Sequence, residues 1–290
     1  MVTVVDLSTP ALLQEKQEKL FAVLRGLDRL IVAYSGGADS AYLAWAAQQV
    51  LGDRVLAITA DSASMPESHK RDAERFVRQF GIPHEYVQTH EFDNPDYLKN
   101  DANRCFHCKD ELFVRLEEIG RERGIPHIVY GVNADDLGDY RPGLEAAKNA
   151  GVRSPLIEAD FTKEDVRRAA VAIGLSIWDK PASACLSSRI PFGTRVTRER
   201  LAQIATLEAE LKILGLRQVR VRWHGIDPQS DKALARVEVA PSELEAAFAQ
   251  RDAIVAAGKR AGFAYVTMDL QGYRMGSHNE VLVGRSLRVV

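Results

Sequence analysis

Arg29-Leu-Ile-Val-Ala-Tyr34 runs directly into Ser35-Gly36-Gly37-Ala38-Asp39-Ser40. The first six residues form a short apolar run, typical of a parallel strand covered on both faces. The next six read as the turn into a helix from about Asp39 to Gln49. Glycines let a backbone approach a ligand closely, and a helix start presents N–H groups with a partial positive charge. Together they make a nest suited to phosphate oxygens. Ser35 and Ser40 add hydroxyl donors, and Asp39 is placed to orient the loop or help hold a magnesium ion. The Lys of G-x-x-x-x-G-K-[ST] and the spacing of G-x-G-x-x-G are both missing, so neither a P-loop nor a Rossmann dinucleotide site is indicated. Gly-Gly alone would be a tight turn with an Asp/Ser cap; the whole hexapeptide on the first strand favours phosphate.

Outward from this loop the chain alternates. An amphipathic helix over Leu12–Leu27 precedes it. After it come a strand Arg54–Ala60, a helix Glu67–Phe80 and a strand His84–Gln88. A helix Lys109–Glu122, a strand His127–Gly131, a turn at Tyr140–Gly143, an extended Val152–Ile157 and a helix Thr162–Ile173 follow. Thr162-Lys-Glu-Asp165 resembles a capping box. Gly81, Gly124 and Gly174 sit where a left-handed residue ends a helix. This rhythm predicts an α/β fold with a doubly wound parallel sheet.

Lys180–Thr197 breaks the pattern, being rich in Pro, Ser, Gly and Arg. Beyond it lie a helix Arg198–Leu214, strands Gln218–Trp223 and Leu234–Val239 around a turn, a helix Ser242–Gly258 and a strand Ala264–Asp269. We therefore expect two domains, 1–190 and a smaller α+β domain 191–290. The length of 290 residues fits that count. With 38 Lys+Arg against 40 Asp+Glu, the net charge of −2 gives no broad affinity for nucleic acid or anionic membrane. No apolar run approaches the roughly 20 residues that span a bilayer. The N-terminus lacks a signal-peptide pattern, and three cysteines make no disulfide scaffold, so a cytoplasmic location is expected.

Those cysteines are unevenly placed. Arg104-Cys105-Phe-His-Cys108-Lys109 holds two, and Cys185 stands in the irregular segment. Two thiolates at C-x-x-C spacing can share a metal centre, and a third from a loop completes three ligands. Three thiolates leave one vertex of a 4Fe-4S cluster open for an exogenous sulfide. A redox C-x-x-C with Cys185 as apolar filler, or a structural zinc with His107 or His84 as fourth ligand, stays open on the residues alone.

The string S-G-G-x-D-S resembles the PP-loop of the ATP pyrophosphatases, within the adenine-nucleotide α-hydrolase-like folds. That resemblance implies cleavage of ATP between its α- and β-phosphates, with the adenine near Thr59-Ala60-Asp61-Ser62. Three further blocks narrow it: Tyr130-Gly-Val-Asn133-Ala-Asp135-Asp136-Leu-Gly-Asp139-Tyr140-Arg141-Pro142-Gly143, then Ser154-Pro-Leu156, then Pro181-Ala-Ser-Ala-Cys185-Leu-Ser-Ser-Arg189-Ile-Pro-Phe-Gly193-Thr. Together they look like the LarE family, ATP-dependent sulfur transferases of nickel-pincer-nucleotide synthesis, over nearly the whole chain. The family resemblance implies adenylation of a carboxylate of pyridinium-3,5-biscarboxylate mononucleotide, then conversion to a thiocarboxylate. One branch gives up the sulfur of a single cysteine, matching Cys185. Another holds a 4Fe-4S cluster on three cysteines, and Cys105, Cys108 and Cys185 match that pattern.

The remaining candidates are charged. Asp135, Asp136 and Asp139 follow a predicted strand at the carboxyl edge where open α/β sheets bind ligands, and paired carboxylates there could hold magnesium. Arg141 is placed to contact phosphate or a substrate carboxylate. Arg220 and Arg222 share one face of a strand, opposite Val219 and Val221, with Arg236 on the next strand. Against a substrate with a phosphate and two carboxylates they read as a clamp; otherwise they are a solvated strand face. Arg189 and Arg195 flank Cys185 and could stabilise an acyl-adenylate. Nothing in the sequence selects Glu208 or Glu238, and His278 reads as a surface loop residue.

The expectation is thus an enzyme using ATP, Mg2+ and a 4Fe-4S cluster. Its partners would be a small-molecule mononucleotide and sulfide or another sulfur donor, without membrane or nucleic acid, in a homo-oligomer. A sacrificial Cys185, a PP-loop tRNA thiolase, an ammonia-dependent amide synthase and a non-catalytic nucleotide-binding regulator are the competing readings.

Overall fold

The computed structural model describes residues 10–138, 142–175, 184–227 and 230–274. The chain divides into two compact units: Met1–Asn94 with Asn103–Ser183, and Pro95–Ala102 with Ala184–Val290. The division therefore falls before Cys185 rather than at residue 190, and an eight-residue excursion from the first half joins the second unit.

In the first unit α1 (Pro10–Arg25) leads into β1 (Leu30–Ala33), α2 (Ala38–Leu51), β2 (Val55–Asp61), α3 (Glu67–Phe80) and β3 (His84–Gln88). After the excursion, which contains the single turn α4 (Pro95–Leu98), come α5 (Arg104–Arg123) and β4 (His127–Tyr130). The unit ends with α6 (Pro142–Asn149), the short α7 (Pro155–Glu158) and α8 (Lys163–Ala172). The four strands form a wholly parallel sheet in the order β3-β2-β1-β4, with Val32 beside both Ala57 and Val129.

Alternation along β1 explains the two covered faces. Leu30 and Val32 pack with α1, α2 and α8 through Leu20, Leu24, Leu43, Ala47 and Val166. Ile31 and Ala33 belong to the opposite cluster, with Phe113 and Leu116 of α5 and Ala146 of α6. This is the doubly wound sheet that the apolar run predicts. Gly81, Gly124 and Gly174 take positive φ of 63°, 63° and 71° at helix ends, and Thr162 with Asp165 closes a full capping box.

Two expectations change here. The cysteine helix begins at Arg104, not Lys109, so Cys105 and Cys108 lie on its first turn. Val152–Ile157 is not a strand: only Arg153 bridges to Val129, and Pro155 then starts α7, since proline suits a first helical turn.

The second unit contains α9 (Arg198–Ile213), β5 (Val219–Gly225), β6 (Ala233–Val239), α10 (Leu244–Ala249), α11 (Arg251–Arg260) and β7 (Tyr265–Met268). β5 and β6 are antiparallel, and β7 joins β6 in parallel. The helix expected over Ser242–Gly258 breaks at Gln250, which ends α10 and begins α11. Among the described residues no helix is long and apolar enough to cross a membrane.

Candidate functional site

The first unit builds its site from backbone. Gly36 adopts φ 73°, a conformation that costs a side chain dearly. Gly37 caps α2 without any side-chain hydrogen bond, so the first N–H groups of that helix keep no capping oxygen of their own. Ser40 spends its proton on the Gly37 carbonyl (3.1 Å) and accepts from the Ser35 N–H (3.2 Å). The two serine hydroxyls lie 3.0 Å apart. These hydroxyls thus hold the shape of the loop, and the donors offered to an anion are N–H groups at a helix N-terminus.

Gly131, directly after β4, stands in the family-like block of the sequence but has no role assigned from it. A Cβ there would stand 2.5 Å from Ser40 Cα and 2.6 Å from Ser40 N, so only glycine lets this strand end pass the start of α2. Asn133 is another such residue. Fully buried, it donates from Nδ2 to Asp39 Oδ1 (3.2 Å), and its own N–H binds Asp136 Oδ2 (3.1 Å). The Asp39 carboxyl titrates above its ordinary range: burial dominates and Asp136 adds to it, against Lys163 and Asn133. An acid held under such strain of solvation welcomes a cation. Asp39 is therefore well suited to magnesium, with Asp136 as its acidic neighbour. Exposed Asp135 turns instead to the start of α8, accepting from the Lys163 N–H (2.8 Å). Ala60 stands half-buried near the C-terminal end of β2, and beyond it Ser62 donates to the buried Glu91. Asp139, Arg141 and His278 lie outside the described residues.

None of the three cysteines forms a disulfide among the described residues. Cys105 is exposed and Cys108 half-buried, three residues apart on one face of the first turn of α5. Cys185 belongs to the second unit. Among the described residues of either unit, no three His, Cys, Asp or Glu side chains gather as a metal centre.

The second unit builds with side chains. Arg189, 1% exposed, binds Glu208 through Nε (2.9 Å) and Nη2 (3.3 Å). Its Nη1 reaches back to the carbonyls of Ala184 (2.6 Å) and Cys185 (2.8 Å). Glu208 also accepts from the Val221 N–H (3.1 Å), tying α9 to β5. Arg222 pairs with Glu238 (2.8 Å) and donates to the Ser188 carbonyl (3.1 Å), while its Nε–H is buried without an acceptor among the described residues. Arg236 completes the row against Glu238 (3.3 Å) and Asp269. Arg220 lies over the Tyr273 ring (5.2 Å); burial first, then Arg189, push its pKa down.

This network knits the turn after Cys185 to α9 and β5, which is why the unit starts at Ala184. Among the described residues, Arg189, Arg222 and Arg236 pair with Glu208, Glu238 and Asp269, and Arg220 lies within the field of Glu208. Glu208 and Glu238, unselectable from sequence, are the partners that make the arginines rigid. Arg195 is exposed and stands apart, offering its carbonyl to Arg200 (2.6 Å).

Residues 19–130 match the family described as NAD synthase. One component of the glutamine-hydrolyzing GMP synthase of Methanocella arvoryzae is 26% identical over 64% of this chain and 66% of its own. An uncharacterized protein of Synechocystis sp. is 43% identical over 93% of this chain and 99% of that protein. A pyridinium-3,5-bisthiocarboxylic acid mononucleotide synthase of Lactiplantibacillus plantarum is 36% identical over 96% and 98% respectively. Matched to that synthase almost end to end, and carrying a phosphate nest at the head of its parallel sheet, the chain belongs to the LarE family of ATP-dependent sulfur-transfer enzymes.

Proposed function

We propose that this enzyme adenylates a carboxylate of a pyridinium biscarboxylate mononucleotide and converts it to a thiocarboxylate. The observation that carries this reading is the near-full-length likeness to the synthase named above, together with the nest at Ser35–Ser40 and its strained Asp39. The nest's N–H groups bind the departing pyrophosphate, and Asp39, with Asp136 nearby, would hold Mg2+, which would supply charge neutralisation for the phosphates. A substrate carboxylate attacks the α-phosphorus; the bond to the β-phosphate oxygen breaks and pyrophosphate leaves. The acyl-adenylate now has a competent leaving group, which a free carboxylate lacks. Attack by sulfide at its carbonyl carbon expels AMP and leaves the thiocarboxylate.

The substrate's anionic groups suit the second unit. Arg222, with its buried Nε–H, and the neighbouring Arg220 are suited to an arriving phosphate or carboxylate. Arg195 adds an exposed contact. Arg189 acts on the Cys185 turn through its carbonyls.

For the sulfur, Cys105, Cys108 and Cys185 would hold a 4Fe-4S cluster. Three thiolates are the number that leaves one iron of such a cluster without a protein ligand. When bound, such a cluster supplies an open iron for sulfide. A cytoplasmic homo-oligomer is the setting we propose.

Anaerobic purification with iron and acid-labile sulfide analysis tests this, beside a Cys108→Ala variant. About four irons and four sulfides per chain, lost in the variant along with thiocarboxylate formation, are expected. Zinc in their place, or loss of sulfur from Cys185 after one turnover, replaces the cluster. Absence of pyrophosphate release with every pyridinium carboxylate would leave a nucleotide-binding regulator, and release with tRNA instead would indicate a thiolase.

A further inference from the structure

The excursion Pro95–Ala102 is bound to the segment after Cys185 by an unusual concentration of hydrogen bonds, all within the second unit. The Tyr97 hydroxyl meets Ser187 Oγ at 2.8 Å, where both side chains are buried. The Val196 N–H binds the Leu98 carbonyl (3.0 Å) and the Gly193 N–H binds that of Asn100 (2.9 Å). At the centre is Asn100, 0% exposed, whose Nδ2 is shared among the carbonyls of Ile190 (3.2 Å), Pro191 (2.8 Å) and Thr194 (3.0 Å).

Asn100 meets two demands that few residues meet together. Its φ is 57°, in the left-handed region that asparagine tolerates better than most side chains. It must also present N–H donors to several carbonyls at once. Glycine meets the first demand and has no donor; an ionised aspartate keeps the shape and turns every contact into repulsion. The segment it holds has little ladder of its own: one 3₁₀ turn, Leu186–Arg189, and then irregular chain up to Thr197. One buried and two half-buried residues thus present their carbonyls to a single fully buried amide, and a loss of that donor would be costly in proportion to their burial.

We infer that Asn100 is a positioning residue for the sulfur-transfer step: it fixes the turn that runs from Cys185 through Arg189 to Thr194. It touches no reacting atom. It acts through that turn, and Tyr97 supports it at Ser187. This assignment rests on the sulfur-transfer reading given above.

The test uses the full-length enzyme with its native metal content, comparing Asn100→Asp, Asn100→Gly and the milder Tyr97→Phe. Hydrogen–deuterium exchange of peptides covering 186–196 should quicken about tenfold in both Asn100 variants, with the Ser35–Leu51 region unchanged. The kcat for thiocarboxylate formation should fall about tenfold while KM for ATP stays put. Lowering the pH should narrow the Asn100→Asp deficit, since a protonated carboxyl regains one donor, and leave the Asn100→Gly deficit as it is. Tyr97→Phe should shift exchange and kcat in the same direction by a smaller factor.

Unchanged exchange over 186–196 overturns the clamp. Quickened exchange with wild-type kcat, or a rise in KM for ATP in place of a lower kcat, overturns its link to sulfur transfer. If the unaltered enzyme makes no thiocarboxylate, the functional reading falls, and the exchange measurement still decides whether Asn100 holds the turn. Should neither Asn100 variant fold, Tyr97→Phe decides by the same two readouts.

Discussion

The first unit gathers its candidate anion donors from glycines and helix N–H groups, whereas the second gathers arginines locked by carboxylates. Backbone donors cost no side-chain entropy to order, and they are fixed as soon as β1 and α2 form. Four guanidinium groups need partners from α9, β5, β6 and the residue after β7. The first design is local and tolerant of everything except a Cβ; the second is distributed and sensitive to any single lost charge.

The largest expected effect therefore lies in the second unit. Glu208→Ala leaves Arg189 buried against uncompensated charge and frees the Val221 N–H, at a cost of about 3–5 kcal/mol. Urea unfolding would show it, and a loss under about 1 kcal/mol would mean that the network is ornamental. Next is Gly131→Ala, where the new methyl must displace Ser40 backbone. About 3 kcal/mol of stability and measurable ATP binding should both go. Retained ATP binding would show that the nest is softer than its contacts suggest.

The smallest effect is a difference of sign between two carboxylates of the first unit. Burial raises the Asp165 carboxyl, but the Lys16 ion pair (2.6 Å) and the Thr162 cap outweigh it, so its folded pKa is lowered. Its contribution is present above the ordinary carboxylate range and is lost as pH falls through the depressed value. Asp39 is raised, so its effect runs the other way: stability is highest below the ordinary range and declines as pH climbs through the raised value. At neutral pH without magnesium, Asp165→Asn should destabilise by about 1 kcal/mol and Asp39→Asn should stabilise. Denaturant titrations at pH 7 and pH 4 would separate them, and parallel behaviour would remove the distinction.

This contrast also explains what the sequence reveals. The nest, the doubly wound sheet, the capping box and the helix-ending glycines are short-range patterns, in which each residue's neighbours dictate its conformation. The roles of Gly131 and Asn133, which the sequence shows only as part of a family-like block, escape such reading because their partners, Ser40 and Asp39, are more than ninety positions away. Glu208 and Glu238 look like any surface glutamate until Arg189 and Arg222 are folded against them. The start of α5 is missed although Asn103 is of a cap-forming type, and in the fold its side chain makes no capping hydrogen bond to the helix. The excursion at Pro95–Ala102 has no local signature, since what recruits it is a set of carbonyls 90 to 94 residues downstream.

That excursion bears on how the enzyme is made. During synthesis Asn100 leaves the ribosome long before Ile190 does, a gap of 90 residues. At roughly 5–20 residues per second the wait is about 5–18 s, ample for the sheet of the first unit to begin forming around an unfinished loop. The second unit cannot be released as a fragment beginning at Ala184, because it would arrive without Asn100 and Tyr97. A break placed at Ala184 removes from the second unit the two side chains that meet Ser187 and Ile190.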